Sequence, residues 1–107
     1  MSIHNFTAAL ELLSGEVAED LQVNTLRTFM FIAGRGECSQ KDVEAFLKTS
    51  NATTSRNVSY WTDRRFDRQP GAGFVERTID DHDQRNRILK LTKRGVSFYA
   101  KLKGTIS

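Results

Sequence analysis

Residues 49–65, TSNATTSRNVSYWTDRR, combine an apolar helical period with a run of hydrogen-bonding side chains. Thr54, Val58 and Trp61 recur at i, i+4 and i+7, the spacing of a helix face turned toward a core. The remaining side chains, Asn51, Ala52, Thr53, Arg56, Asn57 and Tyr60, offer amides, hydroxyls, a guanidinium and a methyl. These are the groups that hydrogen-bond or touch base edges in a major groove. Ser50 suits an N-cap, because its hydroxyl can accept a backbone N–H that the first helical turn leaves unpaired. The spacing therefore fits a recognition helix over 50–65. An ordinary amphipathic surface helix would carry the same pattern, so this stretch alone leaves both readings open.

The elements that would position such a helix follow from the rest of the chain. Its 107 residues suit one small domain over 1–107, and 38% hydrophobic residues with seven Phe and one Trp suffice for a compact core. Ile3, Phe6, Leu10, Leu13 and Val17 are spaced by three and four, which predicts a first helix from about Asn5 to Ser14, interrupted by Gly15. Asn24 is expected to cap a second, central helix with Leu26, Phe29, Met30 and Ala33 inside, ended by Gly34 and Gly36. After a short extended piece at Glu37 and Cys38, Ser39 caps a third helix, Gln40 to Lys48, buried through Val43, Phe46 and Leu47. Beyond the recognition helix, Gln69 to Gly73 read as a loop containing the only proline. FVERTI (74–79) and NRILKL (86–91) then read as two strands joined by the polar turn Asp80 to Arg85. Thr92 caps a last helix with Val96, Phe98, Tyr99, Leu102 and Ile106, whose apolar positions are spread widely enough for part of it to face a second subunit.

Charge is distributed unevenly. Residues 1–50 carry four Lys/Arg against seven Asp/Glu, whereas 51–107 carry twelve against six, so the halves bear −3 and +6. The half with the candidate recognition helix is thus the basic one, which suits a polyanionic partner. One cysteine, Cys38, permits neither an intramolecular disulfide nor a cysteine-based zinc site and fits a reducing cytoplasm. The N-terminus lacks a charged n-region, and no run approaches the ~18 apolar residues of a membrane span. The expectation is a cytoplasmic protein with no membrane partner.

The order helix, short strand, helix, turn, helix and two-stranded ribbon is that of a winged helix-turn-helix, in which the helix reads the major groove and the ribbon reaches minor groove and phosphates. From about Gln22 to Leu102 the chain resembles the multiple-antibiotic-resistance regulator (MarR) family. SNATTSR (50–56) is similar to the family's Ser-x-x-Thr-x-Ser-Arg helix start, FVER (74–77) to its first wing strand, and DDHDQRNRILKLTKRG (80–95) to its Asp-rich wing tip, second strand and Leu-Thr-x-x-Gly passage into the next helix. The resemblance implies an α+β, mostly helical domain with a two- to three-stranded β-wing and flanking terminal helices at about 3–17 and 92–106 that form a dimer. It also implies DNA contacts by Ser50, Thr53, Ser55 and Arg56, and a wing arginine, Arg85, oriented by Asp83 through a charge-assisted hydrogen bond. Arg87 is expected to join Arg85 at phosphates or the minor groove, and Arg64, Arg65 and Arg68 to touch phosphates or acidic neighbours rather than bases, adding affinity. The implied protein is a transcriptional regulator, acting as a repressor, that binds a pseudo-palindromic operator as a homodimer. The alternative is a winged-helix module that docks another protein through its apolar terminal helices.

Other chemistry finds less support. Cys38 could sense oxidants, but a lone cysteine beside core helices is more often a small buried hydrophobe. His82 lies among Asp80, Asp81 and Asp83, yet adjacent carboxylates on a turn lack a defined metal geometry. His4, His82 and Cys38 come with no nucleophile elbow or phosphate loop, so no enzyme, metal or cofactor is expected. A small-molecule effector has no residue-level support. Trp61 at helical spacing with Val58 reads as core rather than as a base-stacking platform.

Overall fold

The structure, a computed structural model, describes residues 2–107. Five helices and three strands follow one another as α1 (Ile3–Glu16), α2 (Val23–Arg35), β1 (Glu37–Ser39), α3 (Gln40–Leu47), α4 (Asn51–Trp61), β2 (Val75–Ile79), β3 (Arg87–Leu91) and α5 (Lys93–Ile106).

Side-chain caps set four of the helix starts. Ser2, Ser39, Ser50 and Thr92 each accept the backbone N–H three residues on. At α3 the Asp42 carboxylate also accepts from Ser39 N, closing a reciprocal capping box. Two helix boundaries differ from the sequence expectation. α1 does not stop at Gly15 but runs through it to Glu16, because burying Ala9 and Leu13 against α5 outweighs the roughly 1 kcal/mol that a glycine costs in a helix. α2 starts at Val23, capped by the extended backbone of Gln22 whose carbonyl accepts from Leu26 N at 3.0 Å. Asn24 is already helical, and its side chain accepts from Arg27 instead. Gly34 lies within α2, and only Gly36, at φ +82°, takes the conformation that ends it.

The core is aromatic. Phe29 on α2 is fully buried, with the Trp61 ring at 4.8 Å and Phe74 and Phe98 each at 5.9 Å, while Phe74 and Phe98 stack on each other at 4.7 Å. Trp61 donates its Nε1–H to the carbonyl of Thr25 at 2.7 Å, so burying the indole strands no polar atom. Gly95 sits where α5 passes the Phe74 carbonyl. A Cβ there would collide with that backbone oxygen, which is the physical use of the glycine in the Leu-Thr-x-x-Gly pattern. Phe46, expected in the core, is instead 42% exposed; it stacks on Phe31 at 4.5 Å, outside the cluster that buries Val43 and Leu47.

The sheet is antiparallel with order β1-β3-β2, so the short piece before α3 joins the hairpin as a third strand. Cys38, Leu89 and Arg77 form one cross-strand row, flanked by Glu37, Lys90 and Glu76 in the next. Directly paired residues share a face and successive rows alternate. The Leu89 row therefore faces the helices, and the Lys90 row faces solvent, where Lys90 pairs with Glu76 at 3.4 Å.

Candidate nucleic-acid interface

α4 has two faces. Thr54, Val58 and Trp61 are buried, as their spacing predicts, and Ser59 joins them. Asn51, Ala52, Thr53 and Arg56 are exposed along the outer side of the first turns. The Ser50 hydroxyl is spent on the cap, accepting from Thr53 N at 3.2 Å. α4 ends at Trp61 rather than near residue 65, because Thr62 turns extended and its cap N–H bonds the carbonyl of Ser59.

The other expected contact residues fall into separate settings. Asn57 Oδ1 accepts from Thr25 Oγ1 at 2.8 Å, committing its carbonyl inward. Tyr60 is half-buried, edge-on to Trp61 and covered by the Arg65 guanidinium at 5.1 Å. Asn57, Tyr60 and Arg65, together with Arg56, line a hollow against the α1–α2 connection. Arg64 and Arg65 lie in the loop after the helix, with Arg65 paired to Asp67 at 3.3 Å and Arg64 exposed.

The wing tip is shaped by its own turn. Asp80 accepts from His82 N at 2.9 Å and from Asn86 Nδ2 at 3.2 Å. These bonds, the His82 amide first, hold the Asp80 carboxyl below its ordinary pKa. Asp83 Oδ1 accepts from the Arg85 backbone N–H at 3.1 Å and lies 3.7 Å from Arg85 Nε, an ion pair rather than a hydrogen bond. The Arg85 side chain is 93% exposed, so this pair restrains it only loosely. Arg87 folds back and donates to the carbonyl of Gln84 at 2.8 Å, bracing the tip. Asn51 from the start of α4, with Arg85 and Arg87 from the wing, lines a single open cleft of about 490 Å³.

One residue of this region escaped the sequence reading. Arg77 on β2 donates through Nη2 to Ser59 Oγ at 2.6 Å, and through Nη1 to Gln40 Oε1 at 2.9 Å and Ser55 Oγ at 3.3 Å. It ties the wing to both helices of the helix-turn-helix. Every partner is neutral, and among the described residues no carboxylate pairs with it within 4 Å. Burial first, then the like charge of Arg87, lowers its pKa, but a guanidinium stays protonated at any ordinary pH. The signal was present as alternation: Arg77 stands two residues from buried Val75, on the same face of the strand. Ser55, expected at DNA, is one of its acceptors.

Cys38 is buried, and desolvation, followed by the nearby Asp42 charge, pushes its thiol up to about 11. The reactive thiolate is therefore scarce at neutral pH. Among the described residues no group of His, Cys, Asp and Glu is arranged to hold a metal, and no helix is long and apolar enough to cross a membrane.

No protein-family model matches the chain, and no curated sequence matches it significantly. Solved structures do. A cysteine-to-serine variant of MarR from E. coli, complexed with operator DNA, superposes with a TM-score of 0.66 at 15% identity, covering 96% of this chain and 69% of that one. NadR in complex with 4-hydroxyphenylacetate gives 0.69 at 19% identity, with 95% and 64% covered. The PcaV transcriptional regulator of Streptomyces coelicolor gives 0.65 at 19% identity, with 95% and 69% covered. The chain thus spans about two thirds of the length of these proteins. At such identities the likeness speaks for the architecture: this chain has the winged helix-turn-helix fold of the MarR-type transcriptional regulators.

Proposed function

We propose that the protein is a sequence-specific double-stranded DNA-binding transcriptional regulator, a repressor, that reads the major groove with the start of α4 and the minor groove with the wing. The observation that carries this reading is the shared cleft, which Asn51 at the start of α4 lines together with the wing arginines Arg85 and Arg87. Asn51, Ala52, Thr53 and Arg56 supply the groups that approach base edges, Ser50 holding the helix start as its cap, and Arg85 enters the neighbouring groove, where narrow width concentrates negative potential. Arg64 and Arg68, both exposed, add phosphate contacts, and the half-buried guanidinium of Arg77, which has no carboxylate within 4 Å among the described residues, adds positive charge behind the interface.

The functional unit in this reading is a homodimer on a pseudo-palindromic operator, with its two α4 helices about 34 Å apart in successive major grooves. Support comes from α1, where Ile3, Phe6 and Leu10 lie on one side and are 77%, 43% and 43% exposed, and from Val96 on α5 at 56%. An apolar stripe left in water on α1, a helix that packs against α5, suits a second copy. A cytoplasmic, non-enzymatic role accompanies this reading.

Selection of duplexes from a random pool, followed by binding at several salt concentrations, tests it. The expected result is an enriched inverted repeat bound with steep salt dependence. Arg56→Ala should weaken that binding by about 1 to 3 kcal/mol, the worth of a bidentate guanine contact. No enrichment, with little binding at any salt, would favour a protein-docking module instead.

A further inference from the structure

The loop between α4 and β2 is well ordered by its own backbone. Ala72 N, Gly73 N and Phe74 N return to the carbonyls of Tyr60, Thr62 and Trp61 at 3.0, 3.0 and 2.8 Å, and Arg65 N bonds the carbonyl of Gln69 at 2.8 Å. At its apex stands Phe66, 66% exposed, although nothing in the core requires an aromatic ring there. Its ring lies beneath the guanidinium of Arg56, with the central carbon 4.7 Å from the ring centroid. Arg65, beside it, is already engaged with Tyr60 and Asp67, so the neighbouring cation does not compete for the ring.

The chemistry of this contact differs from that of an ion pair. A carboxylate holds a guanidinium by its N–H edge and so uses the donors that a base or phosphate would need. A ring face holds it through the quadrupole, leaving the donors available. Among the described residues Arg56 has no carboxylate within 4 Å, so its guanidinium rests on the ring and not in an ion pair.

We infer that Phe66 is a positioning residue for Arg56: the loop after α4 holds an aromatic ring under the guanidinium, fixing it outward with its N–H edge free for DNA. The inference rests on the DNA-binding reading above and names the residue that preorganises one of its contacts, lowering the ordering cost paid on binding.

Five forms of the full chain test it: the parent, Phe66→Leu, which keeps apolar bulk but removes the π face, Phe66→Trp, and Arg56→Ala with and without Phe66→Leu. On the selected duplex, Phe66→Leu should lose about 2- to 5-fold in affinity per half-site, and Phe66→Trp should match or exceed the parent. In the Arg56→Ala background Phe66→Leu should change nothing further. Melting temperatures should coincide throughout, since the ring is exposed. Without DNA, the Arg56 Nε–H resonance should carry a ring-current shift that Phe66→Leu abolishes. Parental affinity in Phe66→Leu, or an equal loss in the Arg56→Ala background, overturns the positioning role while leaving DNA binding intact. A parent that selects no duplex overturns the DNA reading and this inference with it, even if the ring-current shift is present.

Discussion

Two arginines leave the same hairpin and meet opposite environments. Arg77, near the base of the wing, is half-buried and donates to three neutral acceptors on α3 and α4. Arg85, at the tip, is 93% exposed and restrained only by Asp83 at 3.7 Å. Burial makes hydrogen bonds to a charged donor worth keeping, because a lost partner leaves polar atoms unsatisfied, whereas an exposed ion pair is offset by water and side-chain entropy. One guanidinium therefore fixes where the wing stands relative to α4, and the other remains free to meet a ligand. The hairpin is pinned at its base and presents a loosely held guanidinium at its tip.

The largest effect should come from unpinning the base. Arg77→Met keeps apolar bulk but leaves Gln40, Ser55 and Ser59 without their donor, and should cost about 1 to 3 kcal/mol of stability. For a domain of this size each kcal/mol lowers the melting temperature by roughly 4 to 8 °C. Operator affinity should fall as well. Calorimetry and binding on the same samples check both, and an unshifted melting temperature would show that the base is not held by this residue.

The tip should behave in the opposite way. Arg85→Ala should leave the melting temperature unchanged, weaken binding broadly across sequences and flatten the salt dependence by about one to two counterions per dimer, given a slope near −0.9 per neutralised phosphate. Arg85→Lys should recover only part of the loss, because an ammonium keeps the charge but not the planar fork. Superimposable salt lines for the three proteins would remove the wing from the interface.

A smaller effect concerns the other polar side chain of the inner row. Cys38, with its thiol pushed up to about 11, should resist alkylation at pH 7 to 8 in the folded protein and react readily once unfolded. Rapid native-state labelling followed by mass spectrometry would contradict this and reopen oxidant sensing.

The smallest effect should be confined to the turn. Asp80 has a folded pKa depressed below its ordinary 3.8. Its bonds to His82 and Asn86 therefore contribute fully above 3.8 and are lost as pH falls through the lower folded value. Following the His82 and Asn86 amide resonances during acid titration should give a midpoint below 3.8, with the core unaffected. A midpoint at or above that value would mean that these bonds do not favour the ionised carboxylate.

Local chemistry determined much of this molecule without help from distant residues. The caps at Ser39, Ser50 and Thr92, the period of Thr54, Val58 and Trp61, and the alternation of the two wing strands are short-range signals, because a helical turn or a strand pair is set by neighbours along the chain. Those signals carried the order of elements and the position of the exposed helix start. Contacts between residues far apart in sequence decided the rest. Whether α1 could continue through Gly15 depended on what α5 offered Ala9 and Leu13, and Phe46 lost its place in the core to a stack with Phe31. Asn57 was drawn inward by Thr25, 32 positions away. Arg77 found its acceptors 18, 22 and 37 residues off, and the ring of Phe66 came to lie under Arg56 because the loop's backbone bonds return it to the end of α4. A side chain's type states which bonds it can make; burial and distance, which only the folded chain supplies, decide whether it spends them inside the protein or keeps them for a partner.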